Sequence, residues 1–320
     1  MNKLKSLLYK IRRFYMLGGH VKRPILYPVI HTANSNEVEL SILLAGDFML
    51  DKRIELYLEK YGLMYPFMHL LQTIAEYDIR ALNLETPIGD QGCKKWPNKK
   101  FNFLGAPYLA QMIKRAGFDY VSLSNNHIMD YGQTIMKATM KNLDVFGILY
   151  SGTTSPVSTL SSQKYKIAFL SFMDLPVELL PNEFGKYCQL YDKTALKKIA
   201  IAKKSADIVI VSLHWGTEME TAANVRQKQI AHEIIDAGAT IVWGHHPHVV
   251  QETERYKNGV IFYSLGNFIF SHLTPKIKTG MMAGVHFKDG KITSIDEHKI
   301  DIDNYRVLFA PRIIKTTKVF

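Results

Sequence analysis

Cysteine is scarce in this chain of 320 residues, which contains only Cys93 and Cys188. So few cysteines exclude the multiply cross-linked framework of a small secreted domain, and reduced thiols are expected, although one disulfide is compatible with the count. Long apolar runs are also lacking. No segment is therefore long and apolar enough to span a bilayer, and no apolar core of a signal peptide is visible. The sequence therefore predicts a cytoplasmic protein.

The overall composition is that of a globular protein with a sizeable core, since 47% of the residues are hydrophobic and 22% are charged. The formal net charge of +11 is less ordinary and favours a polyanionic partner, namely a membrane surface, nucleic acid, an acidic polymer or a phosphorylated substrate. A solvated basic surface is the alternative. Because no basic and aromatic motif of a known nucleic-acid module is present, no nucleic-acid partner is expected.

The first 37 residues differ from the rest of the chain. On a helical wheel, residues 2–17 place leucine, isoleucine and aromatic side chains on one face and lysine and arginine side chains on the flanks and back. Such a helix can lie among lipid headgroups, or it can dock on the body of the protein. We interpret residues 1–37 as a basic amphipathic segment and linker, with peripheral contact to the inner membrane face through residues 1–19.

From residue 38 onward, short apolar strands alternate with helices, which indicates an α/β fold. Strands are predicted at residues 39–45, 81–84, 120–123, 167–172, 208–213, 241–243 and 260–264, and a hairpin is predicted around the Asp289-Gly290 turn. Glycines 46 and 244 are expected to end their strands. The main domain is assigned to residues 38–300, and residues 301–320 are assigned to a basic, peripheral C-terminal tail.

Residues 240–251, TIVWGHHPHVVQ, carry three histidines directly after a short apolar strand. His245, His246 and His248 would lie at the carboxyl end of a sheet, where open α/β folds place their sites, and neutral imidazole is a common ligand of divalent metals. Because alternate residues of an extended segment point in opposite directions, the spacing alone does not bring two rings to one ion. A polar surface loop is the alternative.

Metal-ligand types of side chain recur at the ends of other predicted strands. A shared site at one sheet edge explains this recurrence better than separate caps and turns. Carboxylate and amide oxygens together with imidazoles suit Mn, Fe or Zn, and a bridging carboxylate could hold two such ions. The strand-end residues are Asp47, Glu85, Asn126 with His127, His214, and His246 with His248.

Six ordered blocks of sequence resemble the signature blocks of the CapA family, bacterial proteins associated with poly-γ-glutamate capsule synthesis. That family is related to the calcineurin-like metallophosphoesterases. The resemblance implies a four-layer α/β/β/α metallophosphatase-like sandwich with a two-metal site at the strand ends. The blocks are GDFML (46–50), NLETP (83–87), SLSNNHIMDYG (122–132), SLHWGTE (212–218), GHHPHVVQ (244–251) and YSLGNFIF (263–270).

The resemblance also implies a role for individual residues. Glu85 occupies the position of the superfamily's metal-bridging aspartate, and His127 follows the ligand asparagine as an acid or a stabiliser of the transition state. Met49 stands where the superfamily's Asp-x-His motif has its histidine, so one ion would lose an imidazole. The implied metal ligands are Asp47, Glu85, Asn126, His214, His246 and His248, and the supporting or substrate-contacting residues are Asp130, Glu218, His245 and Asn267.

The implied activity is that of a metal-dependent hydrolase in capsule or exopolymer metabolism, with a metal-activated water as the nucleophile. Its partners would be an anionic polymer or phosphorylated substrate and capsule synthase proteins. One alternative is a phosphoesterase that acts on a phosphorylated or anionic glycan. Another is a non-catalytic accessory protein that binds an acidic polymer or a synthase, which the substitution at Met49 favours. The retention of every other ligand-type residue favours the hydrolase.

Overall fold

The computed structural model describes residues 39–50, 54–90, 96, 99–162, 164–176, 178, 180, 183–270, 277–302 and 310–319. The predicted amphipathic segment of residues 1–37 lies outside these ranges, as does Cys93. Cys188 is a free and buried thiol, and burial raises its pKa. Within the described ranges, every helix is too short or too polar to cross a membrane.

The first of two sheets has eight strands and is centred on a fully buried strand, β1. Strands β1 to β4 run parallel, whereas β12 pairs antiparallel with β1 and continues into an antiparallel meander of β13 and β14. The strands are β1 (Leu40–Met49), β2 (Ile79–Leu84), β3 (Tyr120–Ser122), β4 (Leu149–Ser151), β11 (Asn267–Phe270), β12 (Thr279–Lys288), β13 (Lys291–Asp301) and β14 (Arg312–Val319). Strand β11 pairs with the end of β1 alone.

The second sheet has six strands in the order β5-β6-β7-β8-β10-β9. Its centre is parallel, and the continuous apolar runs of β6, β7 and β8 fit strands that are covered on both faces. The strands are β5 (Val157–Ser162), β6 (Tyr165–Asp174), β7 (Ile208–Trp215), β8 (Ile241–His245), β9 (Thr253–Tyr256) and β10 (Gly259–Phe262).

The two sheets pack face to face, and helices cover both outer faces. Alternate residues of β1 divide between two cores, because Ile42 and Leu44 face the second sheet whereas Leu43 faces the helices. Helices α1 (Glu55–Tyr61), α2 (Leu71–Ala75), α3 (Tyr108–Arg115), α4 (Gly132–Val145) and α5 (Phe184–Tyr187) contribute to the core outside the first sheet, and α6 (Lys193–Ser205) and α7 (Val225–Asp236) to the core outside the second. The predicted four-layer α/β/β/α sandwich is confirmed.

Two strands continue past the glycines that were expected to end them. Strand β1 runs through Gly46 to Met49 with a shift of register between Leu44 and Asp47, and β8 runs through Gly244 to His245. Both glycines are required by close backbone approach rather than by a turn. A Cβ on Gly46 would lie 2.0 Å from the Gly266 carbonyl oxygen, and one on Gly244 would lie 2.0 Å from the Tyr263 carbonyl oxygen.

The C-terminal end of the described chain is part of the first sheet. Residues 301–320 are assigned by sequence to a basic tail, but β14 within that range pairs with β13 as the sheet's edge strand. Alternation in β14 is obscured by lysines and threonines on its exposed side, which is typical of an edge strand. Strands β4, β5, β9 and β11 were also not predicted, because each has only three to six residues.

Candidate metal centre

The predicted site residues meet where the carboxyl ends of the two sheets face each other. The first sheet contributes Asp47 on β1 and Glu85 just after β2, and the segment after β3 contributes Asn126 and His127. The second sheet contributes His214 on β7 and the segment of His246 and His248 after β8. Neither sheet holds a complete set of donors, so the site depends on how the sheets pack.

Buried polar contacts join the sheets around this site. The Trp243 indole Nε1 on β8 donates a hydrogen bond of 3.1 Å to the carbonyl oxygen of Ala45 on β1. The hydroxyl of Ser122 on β3 lies 2.5 Å from that of Ser171 on β6 and 2.9 Å from that of Ser212 on β7. Such satisfied buried polar contacts fix the relative position of packed elements.

Glu85 is the centre of the site. Its carboxylate is fully buried, and neither oxygen has a hydrogen-bond partner among the described residues. Its Oε1 lies 3.7 Å from Nε2 of His214, 3.7 Å from Nε2 of His248 and 4.0 Å from Nε2 of His127. These separations are too long for hydrogen bonds but fit donors that share an ion at about 2.0–2.2 Å from each ligand.

The buried charge of Glu85 also points to a cation. Burial raises the pKa of Glu85 well above its ordinary value, and the negative charge of Asp47 raises it further. An ionised carboxylate that is buried without donors costs several kcal/mol or more. Divalent ions would supply the missing positive charge, so the residues present fit the metal centre that the sequence resemblance implies.

The carboxylates and imidazoles form two donor sets that share Glu85. Ligand atoms of Asp47, Glu85 and His248 lie within 4.8 Å of one another, and so do those of Glu85, His214 and His246. Asn126 extends the second set, because its Oδ1 lies 3.0 Å from Nε2 of His214. That Glu85 bridges two ions remains a prediction.

The protonation of the second donor set suits metal ligation. Burial lowers the pKa of His214 well below its ordinary value and lowers that of His246 to about 3. Both rings are therefore neutral near pH 7, and neutral imidazole is the form that binds metals. The Nδ1 of His246 has no hydrogen-bond partner among the described residues.

The first donor set is more strongly charged. Burial opposes ionisation of Asp47, but its contacts with the imidazoles of His245 and His248 hold the pKa of this carboxyl well below its ordinary value. Burial also opposes protonation of His248, yet the charges of Glu85 and Asp47 raise the pKa of His248 to about 10. A bound cation would replace that proton between the two carboxylates.

The backbone of the His246-Pro247-His248 segment explains how both rings reach one site. His246 and His248 have φ angles of 94° and 60°, in the left-handed region that residues other than glycine rarely adopt. The chain therefore does not alternate as an extended strand would, and the two ring centroids lie 6.0 Å apart. His245 lies in neither donor set, and its Nδ1 contacts Asp47 Oδ1 at 2.9 Å.

His127 is held by a carboxylate and an ammonium group. Its Nδ1 lies 2.7 Å from Asp130 Oδ2, and Lys99 Nζ lies 2.6 Å from the other oxygen of Asp130. Nδ1 also lies 3.0 Å from Lys99 Nζ. When Nδ1 donates its proton to Asp130, Nε2 faces Glu85 unprotonated. The Phe103 ring stacks on the imidazole at a centroid distance of 4.0 Å. Burial lowers the pKa of His127 to about 4.

The remaining predicted residues also lie at the centre. Asn267 Oδ1 lies 2.9 Å from Nδ1 of His248, so it can hold that ring with Nε2 turned toward Glu85. Glu218 is exposed, and one of its carboxylate oxygens lies within 4.8 Å of a ring nitrogen of His246 and of His248.

The surroundings of Met49 are apolar. Its side chain is fully buried and packs with Phe103 and Phe270, and the Phe270 ring lies 4.9 Å from the ring of His248. A thioether in this small apolar cluster is a weak ligand for a hard divalent ion.

Sequence reasoning missed three residues that support the site. Asn83 donates to Asp47 Oδ1 at 2.9 Å, and Asn125 accepts from the backbone amides of His127 and Ile128. Both lie inside the motif blocks, next to the ligand-type residues, which was the available signal. Lys99 lies between β2 and α3, and its side chain is only 16% exposed and pairs with Asp130.

Known proteins share this sequence pattern. Residues 41–272 match the family described as bacterial capsule synthesis protein PGA_cap. The chain is 30% identical over 289 residues to the capsule biosynthesis protein CapA of Bacillus anthracis, which covers 86% of this chain and 70% of that protein. It is 33% identical over 279 residues to the PGA biosynthesis protein CapA of Bacillus subtilis strain 168, which covers 81% and 72% of the two chains.

A solved structure shares the fold. A Staphylococcus aureus protein described as a putative 5′-nucleotidase superposes with a TM-score of 0.50 at 15% identity, over 80% of this chain and 52% of that chain. At this identity the likeness concerns the fold alone, which is metallophosphatase-like. The fold of this chain is thus a metallophosphatase-like sandwich, and the family match over residues 41–272 shows that the chain belongs to the bacterial capsule synthesis family PGA_cap.

Proposed function

We propose that this protein is a metal-dependent hydrolase that acts on an anionic polymer in capsule or exopolymer synthesis. The observation that carries the proposal is the buried carboxylate of Glu85, which lacks hydrogen-bond donors among the described residues and is shared by two sets of ligand-type atoms. A structural role does not require such an arrangement, because a buried carboxylate without donors destabilises a fold.

The two donor sets would hold one divalent ion each, with Mn, Fe or Zn suited to their oxygen and nitrogen atoms. Asp47 and His248 would serve one ion, and His214, His246 and Asn126 the other, with Glu85 between them. Divalent ions at such a centre make a water molecule more acidic and stabilise negative charge on the attacked group.

His127, held in place by Asp130, would transfer the proton that the attacking water gives up. His127 Nε2 lies at the edge of both donor sets, 4.0 Å from Glu85 Oε1, while Asp130 fixes the ring through Nδ1. The unprotonated Nε2 can accept a proton as the nucleophile forms and then deliver it to the leaving oxygen or nitrogen. Lys99 pairs with Asp130 at 2.6 Å and adds positive charge beside the site.

The substrate class follows from charge and from the relatives. The net charge of +11 favours a polyanion, and the curated relatives are named for capsule and PGA biosynthesis. We therefore propose poly-γ-glutamate, or an anionic or phosphorylated capsule polymer, as the substrate, with capsule synthase proteins as partners.

The test measures metal content and turnover on the same samples. Purified protein is loaded with Mn²⁺ and analysed for bound metal, then incubated with p-nitrophenyl phosphate, bis-p-nitrophenyl phosphate and poly-γ-glutamate, with chain length followed by gel electrophoresis. We expect about two ions per chain and turnover of at least one substrate. The His127→Ala variant should keep both ions and lose about 10²–10⁴-fold in turnover, the usual contribution of a proton-transfer group.

The His232→Ala variant is the matched control, because it removes an imidazole from α7 that pairs with Glu254 away from the centre. It should bind metal and turn over substrate as the wild type does. Equal activity in the wild type and the His127→Ala variant would contradict the role of His127. A wild type that binds no metal from Mn²⁺, Fe²⁺ or Zn²⁺ would contradict the metal centre.

A second function is favoured by the apolar cluster of Met49, Phe103 and Phe270, which occupies one potential donor position. In this alternative the protein is a non-catalytic accessory of capsule synthesis that binds an acidic polymer or a synthase. Bound metal and retained poly-γ-glutamate binding, without turnover of any of the three substrates, would support it over the hydrolase.

A further inference from the structure

The loop of residues 216–224, between β7 and α7, brings a carboxylate to the open side of the metal centre. We propose that Glu218 on this loop is a metal ligand and supplies a protein donor on the solvent side, opposite the buried Glu85. The inference rests on the proposed metal centre and adds to it a residue outside the two donor sets that share Glu85.

The position of Glu218 relates it to both donor sets. A carboxylate oxygen of Glu218 and one ring nitrogen each of His246 and His248 lie within 4.8 Å of one another. His246 belongs to the set with His214, whereas His248 belongs to the set with Asp47. Glu218 therefore lies beside one imidazole of each set, where a carboxylate can reach either ion or bridge them.

The two sets also differ in their number of donors. Glu85, His214 and His246 are joined by the Asn126 amide oxygen, which gives four protein donors. Among the described residues, Asp47, Glu85 and His248 make only three, and Met49, two residues after Asp47 on β1, presents a thioether within an apolar cluster. The carboxylate of Glu218 would give the set of Asp47, Glu85 and His248 a fourth protein donor, and a carboxylate oxygen suits hard divalent ions.

The loop is held against the histidine segment by backbone contacts. The amide of Met219 donates a 2.9 Å hydrogen bond to the carbonyl oxygen of Pro247, which lies between the two histidines. Met219 has a φ of 67°, a left-handed conformation that a residue with a side chain adopts at a cost. The hydrogen bond of Met219 therefore holds the neighbouring Glu218 close to the segment that carries His246 and His248.

The buried side chain of Gln251 holds the loop by hydrogen bonds to its backbone. Gln251 is 4% exposed, and its Nε2 donates to the carbonyl oxygens of Glu220 and Ala222 at 2.9 and 3.2 Å. Its Oε1 accepts from the Nε2 of Gln227, which forms a capping box with Asn224 at the start of α7. The loop is therefore anchored through residues 219–224, although Glu218 itself is exposed.

The charge of Glu218 acts inside the centre. Burial and the charge of Asp47 raise the pKa of Glu85, and the charge of Glu218 shifts it in the same direction. The three neighbouring carboxyl groups of Asp47, Glu85 and Glu218 offer oxygen donors to a divalent cation, and the binding of a cation favours their ionised form.

The test compares Mn²⁺ binding by the full chain and its Glu218→Ala variant in isothermal titration calorimetry. We expect the wild type to bind two ions and the variant to bind one of them at least tenfold more weakly. The Co²⁺-loaded variant should also show an altered visible absorption spectrum, because the loss of a ligand changes the coordination of the ion. Thermal unfolding in chelator should be unchanged, since Glu218 is exposed.

The Glu220→Ala variant is the matched control, because it removes the same charge from an exposed position on the same loop. It should keep both affinities within about twofold and keep the Co²⁺ spectrum. Two ions bound with unchanged affinity and spectrum in Glu218→Ala would overturn the ligand role while leaving the proposed metal centre intact. A wild type that binds no ion would overturn both.

Discussion

Burial has opposite effects on the free energy of two residues at the candidate metal centre, Glu85 and Met49. Glu85 is fully buried without a hydrogen-bond donor among the described residues, whereas Met49 is fully buried in an apolar cluster. The first arrangement costs free energy unless a cation is bound, and the second is favourable because it removes apolar surface from water. The candidate centre therefore combines Glu85, whose buried carboxylate a bound cation would stabilise, with Met49, whose thioether is a weak ligand for a hard divalent ion.

Replacement of Met49 by histidine tests this view at the scale of one residue. Position 49 lies two residues after Asp47 on β1, and its cluster borders the ring of His248. We expect Met49→His to tighten the binding of one Mn²⁺ by about tenfold or more, because an imidazole replaces a thioether. In chelator the variant should lose about 1–3 kcal/mol of stability, the cost of burying an unpaired polar ring.

The Met112→His variant is the control, because Met112 is equally buried but lies on α3. It should be destabilised without a gain in affinity for Mn²⁺. Weaker or unchanged binding in Met49→His would show that position 49 does not face an ion.

Strand ends are the elements that build the centre. The carboxyl ends of β1 and β8 approach other backbone segments so closely that Gly46 and Gly244 have no room for a Cβ. Such contacts occur where parallel strands end beside a loop that crosses them, and they set the spacing of the side chains that follow. His245, His246 and His248 depend on this contact because they come directly after Gly244.

Replacement of Gly244 by alanine tests the contribution of the strand end. The new Cβ would lie 2.0 Å from the Tyr263 carbonyl oxygen and 2.7 Å from the Trp215 indole nitrogen. We expect Gly244→Ala to lower the free energy of unfolding by about 3 kcal/mol and to weaken Mn²⁺ binding, because the backbone must shift. Urea unfolding and calorimetry measure the two effects.

Gly185→Ala is the matched control, because Gly185 lies in α5 and its Cβ would meet only a flexible leucine side chain, at 3.2 Å. That change should alter stability by less than about 1 kcal/mol, since alanine also favours the helix. If the Gly244→Ala variant is as stable as the wild type, the backbone around Gly244 can move away from Tyr263 without a loss of free energy, which would contradict the prediction.

At the scale of the whole molecule, the candidate metal centre lies between the two sheets. Asp47 and Glu85 come from the first sheet, and His214, His246 and His248 come from the second. Ions that bind only to the assembled pair stabilise the folded state over the unfolded chain. Metal and fold should therefore be coupled across the molecule rather than within one element.

Thermal unfolding with and without Mn²⁺ measures this coupling. At a free concentration about 100 times the dissociation constant, each ion should add about 2.7 kcal/mol to the free energy of unfolding. The Glu85→Gln variant should gain almost nothing from Mn²⁺, because the shared ligand is lost. In chelator it should be at least as stable as the wild type, since a neutral amide replaces an unpaired buried carboxylate. A large loss of stability in chelator would contradict the view that Glu85 is uncompensated without metal.

Much of the fold was predictable because its pattern is local. The apolar runs of β1, β6, β7 and β8, the helices between them and the Asp289-Gly290 hairpin follow from periodicity and turn chemistry. The short strands β4, β5, β9 and β11 and the edge strand β14 were not predicted, since pairing with neighbours defines them more than their own residues do.

The sequence by itself determined that acidic, amide and imidazole side chains end several strands, and this follows from composition and order. Only the tertiary structure decided which of them meet. It placed His246 and His248 in one site through two left-handed residues around Pro247, and it buried Lys99 against Asp130. It also brought a carboxylate oxygen of the exposed Glu218 within 4.8 Å of ring nitrogens of His246 and His248. These outcomes depend on contacts between segments distant in sequence, and such contacts arise only when the two sheets pack together.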